Sequence, residues 1–151
     1  MGMVMFYHLT QSSADQTART VLGRALGQGW RIMVRGTDPA ALDRLDAQLW
    51  HPDDSFLPHA REGGPQDARQ PVLLGLGAVP KDAHALMLVD GADVTKAEAE
   101  ALERVWILFD GANPDQLAHA RSQWKRLTAE GLAAQYWSED SGRWEKKAEK
   151  P

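Results

Sequence analysis

The sequence has 151 residues, no cysteine and a formal net charge of −4. This length suits one domain with a buried core, and the lack of cysteine excludes disulfides, thiolate metal sites and cysteine nucleophiles. The negative charge argues against nucleic-acid binding through an overall positive field.

The N-terminal segment MGMVMFYHLT lacks the basic region and the cleavage site of a secretory signal. Apolar runs elsewhere are shorter than the roughly 18–20 residues of a membrane span. We therefore expect a cytoplasmic protein that makes no contact with a membrane.

Apolar runs alternate with helical segments along the chain, beginning with MVMFYHL at residues 3–9. Their apolar residues are continuous, which is typical of strands buried on both faces, as in a parallel sheet covered by helices. The later runs are RIMVRG (31–36), PVLLGLG (71–77), ALMLVDG (85–91), RVWILFDG (104–111) and LAAQYW (132–137).

Residues typical of helix ends mark four helices between these runs. The four starts are Ser13 with Gln16, Asp38 with Pro39, Thr95 with Glu98, and Asn113 with Pro114. Two of these have the spacing of a capping box and two place proline at the first helical position. Gly131 ends the last helix as a left-handed cap. This order predicts an α/β fold, a single three-layer α/β/α domain with a mostly parallel central sheet.

The final segment, YWSEDSGRWEKK, differs from the earlier runs. Ser141-Gly142 lies between two Trp-containing runs and indicates a hairpin turn, so we expect an antiparallel C-terminal edge. We place the single domain at residues 1–147 and expect residues 148–151 to fray as a charged tail.

About twenty residues, 51–70, connect the second helix to the next predicted strand without evident structure of their own. At the start of this connection Trp50, Phe56, Leu57 and Pro58 lie close together in the chain. Apolar side chains in a loop either fold back as a lid on the core or form a surface for a partner.

Signatures of catalysis and cofactor binding are missing. The Gly75–Gly77 turn is followed by Pro80 where the dinucleotide fingerprint needs a third glycine, and the chain contains no GKS or GKT. The histidines and aspartates of residues 51–59 match no familiar metal spacing, and no serine lies in a GxSxG motif. We therefore expect no catalytic residue, no cofactor and no metal.

The segment RSQWKRL places Trp124 between cations in the last helix. A helical wheel gives an inward apolar stripe whose neighbouring edge carries Arg121 and Lys125. The stripe consists of Leu117, Ala120, Trp124 and Leu127. Trp124 is then either part of the core or the half-exposed wall of an apolar recess beside fixed positive charge. Such a recess suits the end of an acidic peptide, whose carboxylate pairs with arginine.

Several short segments, taken in order, resemble the chi subunit of bacterial DNA polymerase III holoenzyme. They are FYHL (6–9), RLDAQLW (44–50), SFLPH (55–59), FDG (109–111), ARSQWKRL (120–127), YW (136–137) and GRWEKK (142–147). The resemblance spans nearly the whole chain, and its specificity lies in order and spacing. It implies a non-catalytic clamp-loader accessory that holds the acidic C-terminal tail of single-stranded DNA-binding protein (SSB) and contacts nucleic acid only indirectly.

The same resemblance assigns the SSB-tail pocket to the last helix. Arg121 and Lys125 would act as counter-ions and Trp124 as the apolar wall. Leu117 stands where well-known members carry a further lysine, which leaves two alternatives: a lower affinity for the tail, or substitution of that charge by Arg126 or the tail lysines.

A second surface of the family binds the psi subunit or an XPD-like helicase. Psi is not found in every bacterium with chi, and without it the alternative partner is another clamp-loader component. Trp50, Phe56, Leu57 and Pro58 match its place, and a protein that is a monomer in isolation is expected. Two other functions remain open. One is an enzyme on a nucleotide-binding-like fold, and the other is direct single-stranded DNA binding through Trp124, Trp137 and Trp144.

Overall fold

The computed structural model describes residues 3–49, 59–61, 71–139 and 141–150. The strands are β1 (Met3–Leu9), β2 (Ile32–Arg35), β3 (His59–Arg61), β4 (Val72–Gly75), β5 (Ala85–Leu88), β6 (Arg104–Asp110), β7 (Ala133–Ser138) and β8 (Glu145–Lys150). The helices are α1 (Ala14–Gly27), α2 (Pro39–Leu49), α3 (Lys96–Glu100) and α4 (Pro114–Ala129).

These strands form one sheet in the order β3-β4-β2-β5-β6-β1-β7-β8. Every neighbouring pair is parallel except β7 and β8, which pair antiparallel. The predicted mostly parallel sheet with an antiparallel C-terminal edge is therefore confirmed. Strand β1 lies between β6 and β7, where Phe6 pairs with Ile107 on one side and with Tyr136 on the other.

Helices cover both faces of the sheet. One buried cluster joins Leu22 of α1 and Leu45 of α2 to Trp106 of β6. The cluster on the opposite face includes Phe6 of β1 and Leu127 of α4, together with Ala99 of α3. All four residues of β5 are buried, as expected for a strand covered on both sides. The domain is thus a three-layer α/β/α arrangement.

The predicted helix starts are confirmed by their hydrogen bonds. The side chains of Ser13, Asp38, Thr95 and Asn113 accept bonds from backbone N–H groups of the first turns at 3.0–3.2 Å. Gly131 follows α4 with φ of 91°, a left-handed conformation in which glycine avoids the strain of a side chain.

Two regions differ from the sequence-based expectation. β3 lies inside the connection predicted to lack structure, where it pairs with β4 at the sheet edge. Three residues are too few to produce a periodic apolar signal, which is why this strand could not be predicted. The paired strand β8 also includes Ala148, Glu149 and Lys150, in the segment expected to fray. The backbone hydrogen bonds between β8 and β7 form whatever the side chains of β8 are. Charged side chains on an edge strand are typical, because they prevent pairing with another chain.

None of the helices in the described ranges combines the length and the apolar character needed to cross a membrane.

Candidate functional site

Helix α4 lies over β6 and β7 and turns its predicted stripe towards the sheet. Ala120 and Leu127 are buried, whereas Leu117 and Trp124 are half-buried and pack against the same core. The apolar stripe is confirmed, and Trp124 is only partly covered by the core. One edge of the indole belongs to the core, and the rest stays accessible at the surface.

Trp124 packs into a cluster of aromatic rings contributed by the strands below it. Its ring centroid lies 5.4 Å from that of Phe6 and 6.0 Å from that of Tyr136, both in edge-to-face geometry. Tyr136 also lies 5.9 Å from Phe109. Such pairs contribute about 0.5–1.5 kcal/mol each beyond buried area, so the position of the indole is well defined.

Tyr136 is held from the other side by His8. The Tyr136 hydroxyl and Nδ1 of His8 are hydrogen-bonded at 3.0 Å. The His8 ring lies so close to Gly111 that a Cβ at this position would overlap it. The glycine of FDG therefore makes room for His8, which in turn orients Tyr136. In the sequence, Tyr136 stands out only as part of the YW segment, which predicts no role for it in the site.

Arg121 and Lys125 are exposed on α4, one turn apart. Neither makes an ion pair or a side-chain hydrogen bond within the described part of the chain. Because four residues bring side chains to the same face of a helix, the two charges stand together beside the half-buried stripe. This edge of α4 therefore presents positive charge to solvent, uncompensated by the described residues.

Arg126 is placed differently from these two cations. Its guanidinium donates a 3.0 Å bond to the Val94 carbonyl and lies 3.4 Å from the carboxylates of Asp93 and Glu130. Arg126 is two residues from Trp124, which places the two side chains on nearly opposite sides of the helix. Arg126 thus fastens α4 to the segment before α3.

Gln123 also holds α4 against the segment before α3, a role that the sequence did not predict. It is only 2% exposed, and its amide nitrogen donates to the Ala92 carbonyl at 2.9 Å and to Asp93 Oδ1 at 2.8 Å. A buried amide with satisfied donors sets the position of a helix more strictly than apolar contacts alone.

A stronger ion pair lies next to this segment, between the end of β2 and α3. Arg35 Nη2 and Glu98 Oε2 are 2.7 Å apart. The hydrogen bond from Arg35 is the main cause that lowers the pKa of Glu98 to about 2. The same arginine donates to the Gly77 and Asp93 carbonyls, so this pair has a structural role.

The second predicted surface, Trp50, Phe56, Leu57 and Pro58, lies outside the described residues. The structure describes its starting point, the end of α2. There Arg19 of α1 donates to the carbonyls of Gln48 and Leu49 at 2.9 and 3.0 Å. These bonds satisfy two of the free carbonyls that end the helix.

Metal binding finds no support in the described part of the chain, where no three His, Asp or Glu side chains are placed to share an ion. The aspartates and the first histidine of the 51–59 segment are outside that part.

Comparison with protein families gives a match to the DNA polymerase III chi subunit, HolC, over residues 1–135. A comparison with curated proteins gave no match. The matched range includes the whole of α4, with Arg121, Trp124 and Lys125, and ends next to Tyr136. This family is an accessory of the replicative polymerase. Because the match covers most of the sequence, the chain belongs to the DNA polymerase III chi subunit family.

Proposed function

We propose that this protein is a non-catalytic replication adaptor that links the clamp loader to SSB by binding the acidic C-terminal tail of SSB. The observation that carries the proposal is the edge of α4, where the exposed Arg121 and Lys125 flank the half-buried Trp124. As a polymerase subunit, the protein would act in the cytoplasm as a monomer within a larger assembly.

The C-terminus of such a tail presents acidic groups together with an apolar side chain, and the α4 edge offers a partner for each. Arg121 offers a planar fork that can bond a terminal carboxylate through two nitrogens, and Lys125 offers a point charge to a neighbouring acidic side chain. The apolar side chain at the C-terminus of the tail packs against Leu117, Trp124 and Tyr136, which are all half-buried. Since the aromatic cluster already holds these walls in position, binding orders few protein side chains.

Arg126 has a smaller part in this proposal than the sequence suggested. Its contacts with Asp93, Glu130 and the Val94 carbonyl already compensate its charge. With Leu117 in place of a family lysine, the tail site contains two free cations and a longer apolar wall.

We further propose that Trp50, Phe56, Leu57 and Pro58 form the surface for psi or an XPD-like helicase. Their position directly after α2, and the family to which the chain belongs, support this proposal. Phe56→Ala should abolish capture of a purified psi or helicase partner while leaving tail binding unchanged. Loss of tail binding in this variant would contradict two separate surfaces.

The test of the tail site is fluorescence anisotropy with a labelled peptide matching the C-terminus of the organism's own SSB. Arg121→Ala should weaken binding by about 1.5–3 kcal/mol, because a charge-assisted hydrogen bond is lost. The matched control is Arg44→Ala, since Arg44 is also an exposed helical arginine but lies on α2. Binding by wild type should weaken with salt. Failure of folded wild type to bind at low salt, or equal effects of the two variants, would overturn the proposal.

A further inference from the structure

A cleft of about 530 Å³ lies on the opposite face of the sheet from α4, between α1 and the strands β1, β6 and β7. Its volume falls within the range of small-molecule sites. Five aromatic side chains line it, namely Tyr7, Trp30, Trp106, Trp137 and Trp144. Trp106 and Tyr7 come from neighbouring strands, whereas Trp144 belongs to the C-terminal hairpin. The cleft therefore exists only in the folded chain.

The aromatic rings form a floor and a lip. Trp106 is 4% exposed and lies at the bottom, 6.2 Å from the Trp30 ring. Trp144 is 38% exposed and stands at the opening, with its ring centroid 5.2 Å from that of Tyr7. The indole N–H of Trp137 already donates to Gln135 at 3.0 Å. What these side chains offer a ligand is therefore flat aromatic surface.

Positive charge is concentrated in the same cleft. Arg104 lies with its guanidinium carbon 5.8 Å from the centroid of Trp30. Among the described residues, its Nε is buried without a hydrogen-bond partner, and its Nη1 donates to the weak acceptor Sδ of Met5 at 3.3 Å. A partly buried guanidinium without a strong acceptor is unfavourable, and an anion in the cleft would offset its charge.

Arg24 of α1 adds a second cation at the same place. Burial raises the pKa of the Tyr7 hydroxyl, and the charges of Arg104 and Arg24 partly offset this rise, so both lie near that hydroxyl. The described lining residues include these two arginines and no Asp or Glu, although the whole chain carries a net charge of −4. The cleft is thus walled by aromatic rings and carries local positive charge.

We propose that this cleft binds a nucleotide, with the base against the indole faces and the phosphate on Arg24 and Arg104. Stacking on aromatic side chains suits every base, and arginine bonds phosphate oxygens in pairs. The exposed amides of Gln16 and Gln28 at the rim offer donors and acceptors to the edge of the base. An acidic peptide would satisfy the arginines but would leave the aromatic floor without a flat partner.

The ligand is either a free nucleotide or one unit of a single strand, since both present a base with its phosphate. The structure separates this site from the tail site. Trp137 and Trp144 line the cleft, whereas Trp124 lies on the other face of the sheet. Direct single-strand binding would therefore not use the three tryptophans together.

The proposal is tested by calorimetric titration of the full chain at low salt. The probes are dTMP, an oligo-dT of about six nucleotides and a duplex. Comparable binding of dTMP and oligo-dT would identify a free-nucleotide site, and markedly tighter binding of the oligonucleotide a single-strand site. Arg24→Gln and Trp144→Ala should each lower the affinity for the probe that binds by about tenfold. Both residues are exposed, so these variants should fold even if Arg104→Gln does not.

The matched control is Arg121→Gln, which should keep full nucleotide affinity while losing affinity for the SSB-tail peptide. This pair of variants separates failure of the cleft from failure of the tail site. No saturable binding of dTMP or oligo-dT would overturn the proposal, as would equal binding of duplex. Binding unaffected by Arg24→Gln and Trp144→Ala, or displacement by the tail peptide, would also overturn it.

Discussion

The two faces of the sheet combine tryptophan with arginine in opposite ways. On the α4 face the rings of Phe6, Trp124 and Tyr136 fill the space between helix and sheet, and Arg121 stands outside them. On the α1 face the rings surround open space, and Arg104 reaches inside it. The same residue types therefore produce a surface for a chain end on one face and a cavity for a flat ring on the other.

The difference arises from the helices. α4 turns large side chains, Leu117, Trp124 and Leu127, towards the strands. Apart from the exposed polar side chains Gln16, Arg24 and Gln28, the part of α1 that lines the cleft presents smaller ones, such as Thr17, Thr20 and Ala25. A cleft remains where neither the helix nor the strands supply enough volume to fill it.

The largest expected effect follows from removing the ring that fills the α4 face. Phe6 is fully buried, so Phe6→Ala should lower the free energy of unfolding by about 3–5 kcal/mol. Trp144→Ala, at the opening of the cleft, should lower it by about 1 kcal/mol or less, because Trp144 is 38% exposed and its ring pairs mainly with Tyr7. Urea denaturation of the two variants measures both values. Equal losses would mean that the two faces are packed alike.

A buried amide gives the next largest effect. Gln123→Ala should lower the free energy of unfolding by about 1–3 kcal/mol, because the Ala92 carbonyl loses its buried donor. Gln28→Ala at the cleft rim should change it by less than about 0.5 kcal/mol, since Gln28 is exposed. Thermal and urea denaturation compare the two. An equally mild effect of Gln123→Ala would show that α4 does not depend on this contact.

The Arg35–Glu98 pair predicts a pH dependence on the α4 side. The pKa of Glu98 is lowered to about 2. Its contribution to the free energy of unfolding is therefore fully present above the ordinary pKa of a glutamate and is lost as the pH falls towards 2. Because the carboxylate is partly solvated, we expect this contribution to the free energy of unfolding to be about 1 kcal/mol. Urea midpoints of wild type and Glu98→Gln at about pH 6 and about pH 3 test this. The difference between the proteins should shrink at the lower pH, and a constant difference would contradict the assignment.

The smallest effects are expected on tail-peptide binding, from replacing the other two cations of α4, Lys125 and Arg126. Lys125→Ala should weaken tail-peptide binding by less than about 1 kcal/mol, because an exposed lysine makes a weak, screened contact. Arg126→Ala should change it still less, since Arg126 is already paired with Asp93 and Glu130. Anisotropy at low salt measures both variants. An effect of Arg126→Ala as large as that of Arg121→Ala would place Arg126 in the tail site.

Local sequence signals were sufficient for most of the fold. Continuous apolar runs predicted β1, β2, β4, β5, β6 and β7, because strands covered on both faces have few polar positions. The capping residues predicted the four helix starts, and Ser141-Gly142 predicted the hairpin to β8. β3 was missed, since pairing with β4 defines it and its three residues have no pattern of their own.

The sequence by itself also determined the α4 edge, because residues 117–127 lie on one helix and their spacing gives their directions. Only the tertiary structure decided which cations are free. Arg126 is paired because Asp93, 33 residues away, is brought to it. Tyr136 became part of the site through His8, 128 residues away. The cleft gathers side chains from separate strands, α1 and the C-terminal hairpin. Periodicity records only near neighbours in the chain, whereas these contacts depend on the order in which the strands lie side by side.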